Sequence, residues 1–188
     1  MDLWKELLCK AYEEATKSPD PSTQNGALVV GPNRYWKPEL DPFTRDPIST
    51  LITNGLKIIG ADCNRFPSGI EYTHERLHTP LKYIYVAHAE FGAIFSALHT
   101  SPLKDFPEFT IVCPWAACTG CAKTIITSGI RRLVRHKQAH LQSAGNTKWQ
   151  EEITVADVML REVGVEIIEY DGLVGAPPVL HSGKYWNP

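Results

Sequence analysis

The sequence predicts an α/β fold, a three-layer α/β/α sandwich built on a mixed five-stranded sheet. Three observations lead to it. Short apolar runs alternate with stretches of helical periodicity along the chain. The 188 residues suffice for one domain of ordinary size and leave little room for a second. Hydrophobic residues at 43% and charged residues at 21% supply a packed core and exclude a disordered chain.

The elements follow in order. Leu3, Trp4, Leu7, Leu8, Ala11, Tyr12 and Ala15 recur at helical spacing, so a first amphipathic helix ends near Ser18-Pro19. Gly26 to Val30 reads as a buried strand. Residues 31–50 carry Pro32, Pro38, Pro42 and Pro47, which predicts a long connecting loop. Leu56 to Ala61 is the second strand, and residues 62–82 read as another loop. A helix is predicted from about Val86 to Thr100, then a strand over Phe109 to Cys113. Cys118 to Ser128 reads as a helix that Gly129 ends. Arg132 to Arg135, Ile153 to Val163 and Val165 to Ile168 complete the pattern as strand, helix and strand. The Gly- and Pro-rich tail from Asp171 is expected on the surface, and residues 1–188 as a single domain.

Charge narrows the function. Lys plus Arg number 19 and Asp plus Glu 21, a net of −2, which argues against coating nucleic acid or an anionic membrane. No run approaches the roughly 18 apolar residues of a membrane span. The first fifteen residues mix acids with apolar residues, unlike a secretory signal. Five cysteines without framework spacing fit reduced thiols and a cytoplasmic setting, where cysteines more often bind metal than pair.

The chemistry gathers at His88-Ala89-Glu90 and Cys118-Thr119-Gly120-Cys121, each at a predicted helix start. Cysteines three apart share one face of a first turn, and helix N-termini favour the thiolate. His88, Cys118 and Cys121 are thus candidate zinc ligands. Catalytic zinc keeps three protein ligands and leaves a fourth position to water. Glu90, two residues from His88, is the candidate carboxylate for moving that water's proton.

On these residues the chain resembles the zinc-dependent cytidine and deoxycytidylate deaminase superfamily, whose pattern is His-x-Glu followed by Pro-Cys-x-x-Cys. The likeness extends to Asp20-Pro-Ser-Thr-Gln-Asn-Gly-Ala27, to Gly60-Ala-Asp-Cys-Asn-Arg-Phe-Pro67 and to Ala122-Lys-Thr-Ile-Ile-Thr-Ser-Gly-Ile130. Pro80-Leu-Lys-Tyr-Ile-Tyr-Val-Ala-His-Ala-Glu90 is closest to the deoxycytidylate branch. The departures are Ala117 and Ala116 before the first cysteine, where the family has proline preceded by Ser or Glu, and Asn25 where it has valine.

The resemblance implies a zinc hydrolase that deaminates a pyrimidine nucleotide, dCMP to dUMP, with Glu90 shuttling the proton. It implies Asn64 as a substrate contact and backbone around Ala27 and Ala89 as fixing the ring. A homo-oligomer is a further family expectation. For the phosphate, Arg65 is the first candidate because its fork of donors matches phosphate, and Arg135, His136 and Lys137 are the second. Deamination of another nucleoside, nucleotide or free base is an alternative, as are a non-catalytic zinc-stabilised module and a polynucleotide-editing deaminase. Cys9 and Cys113 read as packing residues, while Cys63 lies next to Asn64. His74-Glu75-Arg76-Leu77-His78 fits the HExxH pattern of zinc proteases, but its proline- and glycine-flanked loop is too short for the helix that pattern needs. His74 and His78 remain candidates for a second, structural zinc.

Overall fold

The computed structural model describes residues 2–33, 51–52, 55–142 and 147–188, so residues 34–50 of the proline-rich loop lie outside the described residues. Helix α1 (Leu3–Ala15) starts at Asp2, whose side chain accepts a hydrogen bond from Trp4 N. Strand β1 (Gly26–Pro32) follows, so Gly31 and Pro32, read from sequence as loop, continue the strand. A two-residue strand β2 (Leu51–Ile52) precedes β3 (Leu56–Cys63). Next come a short helix α2 (Lys82–Tyr85), α3 (Ala89–Leu98), a 3-10 helix (Leu103–Glu108) and β4 (Thr110–Val112). Then follow α4 (Thr119–Ser128), β5 (Arg132–His136), α5 (Lys137–Gln142), α6 (Thr147–Glu162) and β6 (Glu166–Tyr170). A hairpin of β7 (Val179–His181) and β8 (Lys184–Trp186) ends the chain.

The five predicted strands are β1, β3, β4, β5 and β6, and β2 adds a short edge, giving the order β2-β3-β1-β4-β5-β6. The sheet is mixed, as expected. Pairings β2–β3, β3–β1 and β1–β4 are antiparallel, while β4–β5 and β5–β6 are parallel. Each parallel pair needs a crossover, and α4 and α6 provide them.

Alternation along the strands makes the three layers. Leu28 and Val30 pack with Leu7, Leu8, Ala11 and Tyr12 of α1, while Ala27 and Val29 share the opposite core with α3, α4 and α6. Ile111 and Val112, and Leu133 and Val134, split between the two faces in the same way. Gly60 lets α3 lie against the sheet, because a Cβ there would stand 2.4 Å from Ala93 O and Ala97 N.

The tail differs from its sequence reading. Val174 and Val179 are buried, and the Trp186 ring lies 5.6 Å from that of Tyr12 and 5.4 Å from that of Trp115. The tail's apolar residues are too widely spaced by Gly and Pro to show a period, yet they cover the α1 side of the core. Helix α6 also begins earlier than predicted, at Thr147, because its first turn is too polar to display the apolar repeat.

Gly60→Ala is expected to cost about 1–3 kcal/mol by overpacking, lowering Tm by roughly 2–12 °C for a chain of this size. Thermal unfolding followed by circular dichroism checks it.

Candidate metal centre and cleft

His88 and Cys118 are the N-cap residues of α3 and α4, both in extended conformation, and Cys121 lies in the first turn of α4. Residues just before a helix are free of its periodic packing and can turn their side chains toward a neighbour. The two helix starts meet, and His88 Nδ1 lies 3.4 Å from both Cys118 Sγ and Cys121 Sγ. Bonds of about 2.0–2.3 Å in tetrahedral zinc place ligand atoms on the order of 3.5 Å apart, so the three donors fit that ion. Among the described residues this is the only group of three or more His, Cys, Asp or Glu side chains spaced to hold a metal.

The electrostatics agree. The hydrogen bond with Cys121, then those with His88, pulls the Cys118 thiol down to about 3, which leaves a thiolate. The bond with Cys118 raises His88 to about 9, and the same sharing with Cys118 holds the Cys121 proton on. A cation replacing the shared protons would release them. Glu90 is 2% exposed, burial raises its pKa, and its Oε2 has no hydrogen-bond partner. A buried, unpartnered carboxylate oxygen costs free energy unless a ligand meets it.

These groups open into a cleft of about 210 Å³. Asn64 lines it and is held from three sides. Its Oδ1 accepts from Asn25 N at 2.7 Å, and its Nδ2 donates to Thr23 O at 2.9 Å and Asp20 Oδ2 at 3.2 Å. Ala27 and Ala89 are fully buried beside the centre, and neither is among the residues lining the cleft.

Arg65 is not brought to the cleft. It forks onto Asp62, Nε to Oδ1 at 2.7 Å and Nη2 to Oδ2 at 3.1 Å, on an exposed surface. Arg135 is spent structurally, bound to Asp157 at 2.8 and 2.9 Å and to Glu169. His136 joins Tyr12 and Gly172, and Lys137 pairs with Asp171. Cys63 is buried with its thiol pushed up to about 11, firstly by that burial, and it does not line the cleft. His74 and His78 sit in turns with rings 4.2 Å apart, and no third ligand joins them among the described residues.

Six contributors escaped the sequence reading. Trp115 faces the cleft with Nε1 donating to Gln24 O at 3.0 Å, and it stacks on His181 at 4.4 Å. His181 and Ser182 arrive on the β7–β8 hairpin, which is tied to the segment before β1. Gln24 N donates to Leu180 O and Gly183 N to Ser22 O, each at 2.8 Å. Tyr83, Trp149 and Ile153 form further wall. No motif in the sequence signals these wall residues, because they come from segments far apart in the chain.

Three donors spaced for zinc, two of them on the lining of a cleft, match the three-ligand pattern of catalytic zinc sites. The model of the cytidine and deoxycytidylate deaminase zinc-binding region matches residues 42–137, half of the chain, and the protein belongs to that family of zinc-binding deaminases, hydrolases of C–N bonds. The chain is 28% identical over 127 residues to the uncharacterized deaminase in the luxG 3′ region of Aliivibrio fischeri, covering 68% of this chain and 80% of that one. It is 27% identical over 171 residues to the deoxycytidylate deaminase of Mus musculus, covering 86% and 76%. The crystal structure of dCMP deaminase from the cyanophage S-TIM5 shares the fold, with a TM-score of 0.51 at 20% identity over 88% of this chain and 96% of that chain.

Cys121→Ser is expected to lose stoichiometric zinc in elemental analysis, while Cys9→Ser, on α1, retains it. Arg135→Met leaves the buried Asp157 carboxylate with only Arg161 at 3.2 Å and is expected to cost up to about 3–5 kcal/mol in urea unfolding. Arg65→Ala, at an exposed pair, is expected to cost no more than about 1 kcal/mol.

Proposed function

We propose that residues 1–188 act as one deaminase domain that hydrolyses the exocyclic amine of a pyrimidine nucleotide, converting dCMP and water to dUMP and ammonia. The observation that carries this reading is the unpartnered Oε2 of buried Glu90 beside the His88–Cys118–Cys121 group. His88, Cys118 and Cys121 hold the zinc. When bound, the ion supplies Lewis acidity and a lowered pKa for water.

The remaining work falls to the chain. Glu90 takes a proton from the attacking water and gives it to the ring nitrogen, then takes the remaining proton of the added hydroxyl and delivers it to the amine, which departs as ammonia while that oxygen becomes the carbonyl. Its burial, which raises its pKa, suits a group that must both hold and release a proton. Asn64 has both amide hydrogens engaged, so its Oδ1 retains one lone pair for a substrate hydroxyl. Backbone groups around Ala27 and Ala89 are the family's ring-fixing positions, and here both alanine side chains lie behind the cleft wall. The apolar wall of Trp115, Tyr83 and Trp149 excludes water from its faces.

The name of the mouse relative supports dCMP as substrate. Five free cysteines support a reducing, cytoplasmic setting. Among the described residues no helix is long and apolar enough to cross a membrane. Exposed Phe91 and Phe95 on α3, their ring centroids 4.4 Å apart, support a homo-oligomer.

A second reading, a nucleoside or free-base deaminase, is favoured by one observation. Lys82 is the only Lys or Arg among the described residues that line the cleft, and it is already paired with Asp20.

Glu90→Gln is expected to retain zinc while ammonia release from dCMP falls by about 10²–10⁴-fold or more. Normal turnover by that variant would overturn the mechanism. A panel of cytosine, adenine and guanine compounds, assayed for ammonia release, separates the two readings.

A further inference from the structure

The cleft contains a buried cation that the chemistry above does not use. Lys82 opens α2, is 6% exposed, and lines the cleft. Its Nζ lies 3.1 Å from Asp20 Oδ1. An ammonium carries three N–H donors, and Asp20 is the hydrogen-bond acceptor the structure gives it among the described residues. The Tyr83 ring stands 5.4 Å from Nζ and accepts no strong hydrogen bond. A desolvated ammonium with donors unspent is a costly arrangement unless a ligand completes it.

Asp20 does not simply cancel that charge. Its Oδ1 also accepts from Ser22 N at 2.8 Å and Thr23 N at 3.0 Å, and its Oδ2 accepts from Asn64 Nδ2 at 3.2 Å. One carboxylate thus serves four donors, and it holds both Lys82 and Asn64 in place. His88, Glu90, Asn64 and Lys82 all line the cleft, with Asn64 and Lys82 joined through Asp20 and the hydroxyl-bearing Ser22, Thr23 and Ser182 also on the lining. A reacting base, a sugar and a phosphate need partners of these kinds. Arg65, the cation the sequence favours, has its fork occupied by Asp62 and lies off the cleft.

We propose that Lys82 binds the phosphate of the substrate and sets the preference for a nucleotide over a nucleoside, with Asp20 as the positioning residue that fixes its ammonium. This rests on the nucleotide reading given above. A lysine meets phosphate as a point charge, and one held by a buried partner loses little side-chain freedom when the anion arrives.

The test compares kcat/KM for dCMP and deoxycytidine in zinc-loaded protein, with inorganic phosphate as a competing probe. In Lys82→Gln the dCMP-to-deoxycytidine ratio should fall at least about tenfold, mainly through KM for dCMP, and inhibition by phosphate should weaken in parallel. Lys82→Arg, which keeps the charge and the Asp20 pair, should restore most of the ratio, and Arg65→Ala should leave it within about twofold. A folded, zinc-loaded Lys82→Gln with the unmodified ratio overturns the assignment. Should Lys82→Gln not fold, Arg65→Ala decides: loss of the preference there assigns the phosphate to Arg65 and overturns the proposal, whereas an intact preference supports it. If the unmodified enzyme treats dCMP and deoxycytidine alike, the nucleotide reading fails and this proposal falls with it. If it prefers dCMP while Lys82→Gln keeps the preference, only the assignment of Lys82 fails.

Discussion

The meeting of two helix starts, α3 and α4, is the constraint on which the rest of the molecule depends. It requires α3 to lie almost on the backbone of β3, which the missing side chain of Gly60 permits. It also requires the segment 113–118 to lead from β4 straight to the start of α4, so that Cys118 caps that helix within six residues of the strand's end. Once both helices are seated, His88 Nδ1 comes within 3.4 Å of two sulfurs with no long side chain reaching for its partner. The metal-binding geometry is therefore a property of the sheet and its two covering helices. Its ligands are short, and their positions are set by backbone.

This explains which parts of the protein were legible in the amino-acid sequence. His88, Glu90, Cys118 and Cys121 could be read because helix starts constrain local spacing, and a two- or three-residue interval survives translation into space. The principal strands were legible for a similar reason: GALVV and FTIVC are apolar runs too short for helices. The alternation that sends Leu28 and Val29 to opposite cores is a period of two that needs no tertiary knowledge.

The cleft wall was not legible, because it depends on partners far apart in sequence. Arg65 adjoins Asn64 in the chain, but in space the nearby carboxylate of Asp62 captures its guanidinium, and no motif records that competition. Arg135 looked like one end of a basic run, whereas β5 carries it inward to meet Asp157 of α6. Lys82 and Asp20 were both inside stretches quoted for their family likeness, yet their pairing spans 62 positions. Trp115 and His181 are joined by a ring stack that only the folded tail creates.

The β7–β8 hairpin has a consequence for the shape of the cleft. It forms its own two-stranded sheet, separate from the main one, and reaches the site through bonds that close 156 and 159 positions of chain. Closing loops of that length carries an entropic cost that must be met before the contacts reward it. A small hairpin has little cooperative stability of its own, so this wall of the cleft owes its place to Val179 and Trp186 packing on the α1 side of the core. The shape of the cleft is thereby tied to the core on the opposite face of the sheet from the metal centre.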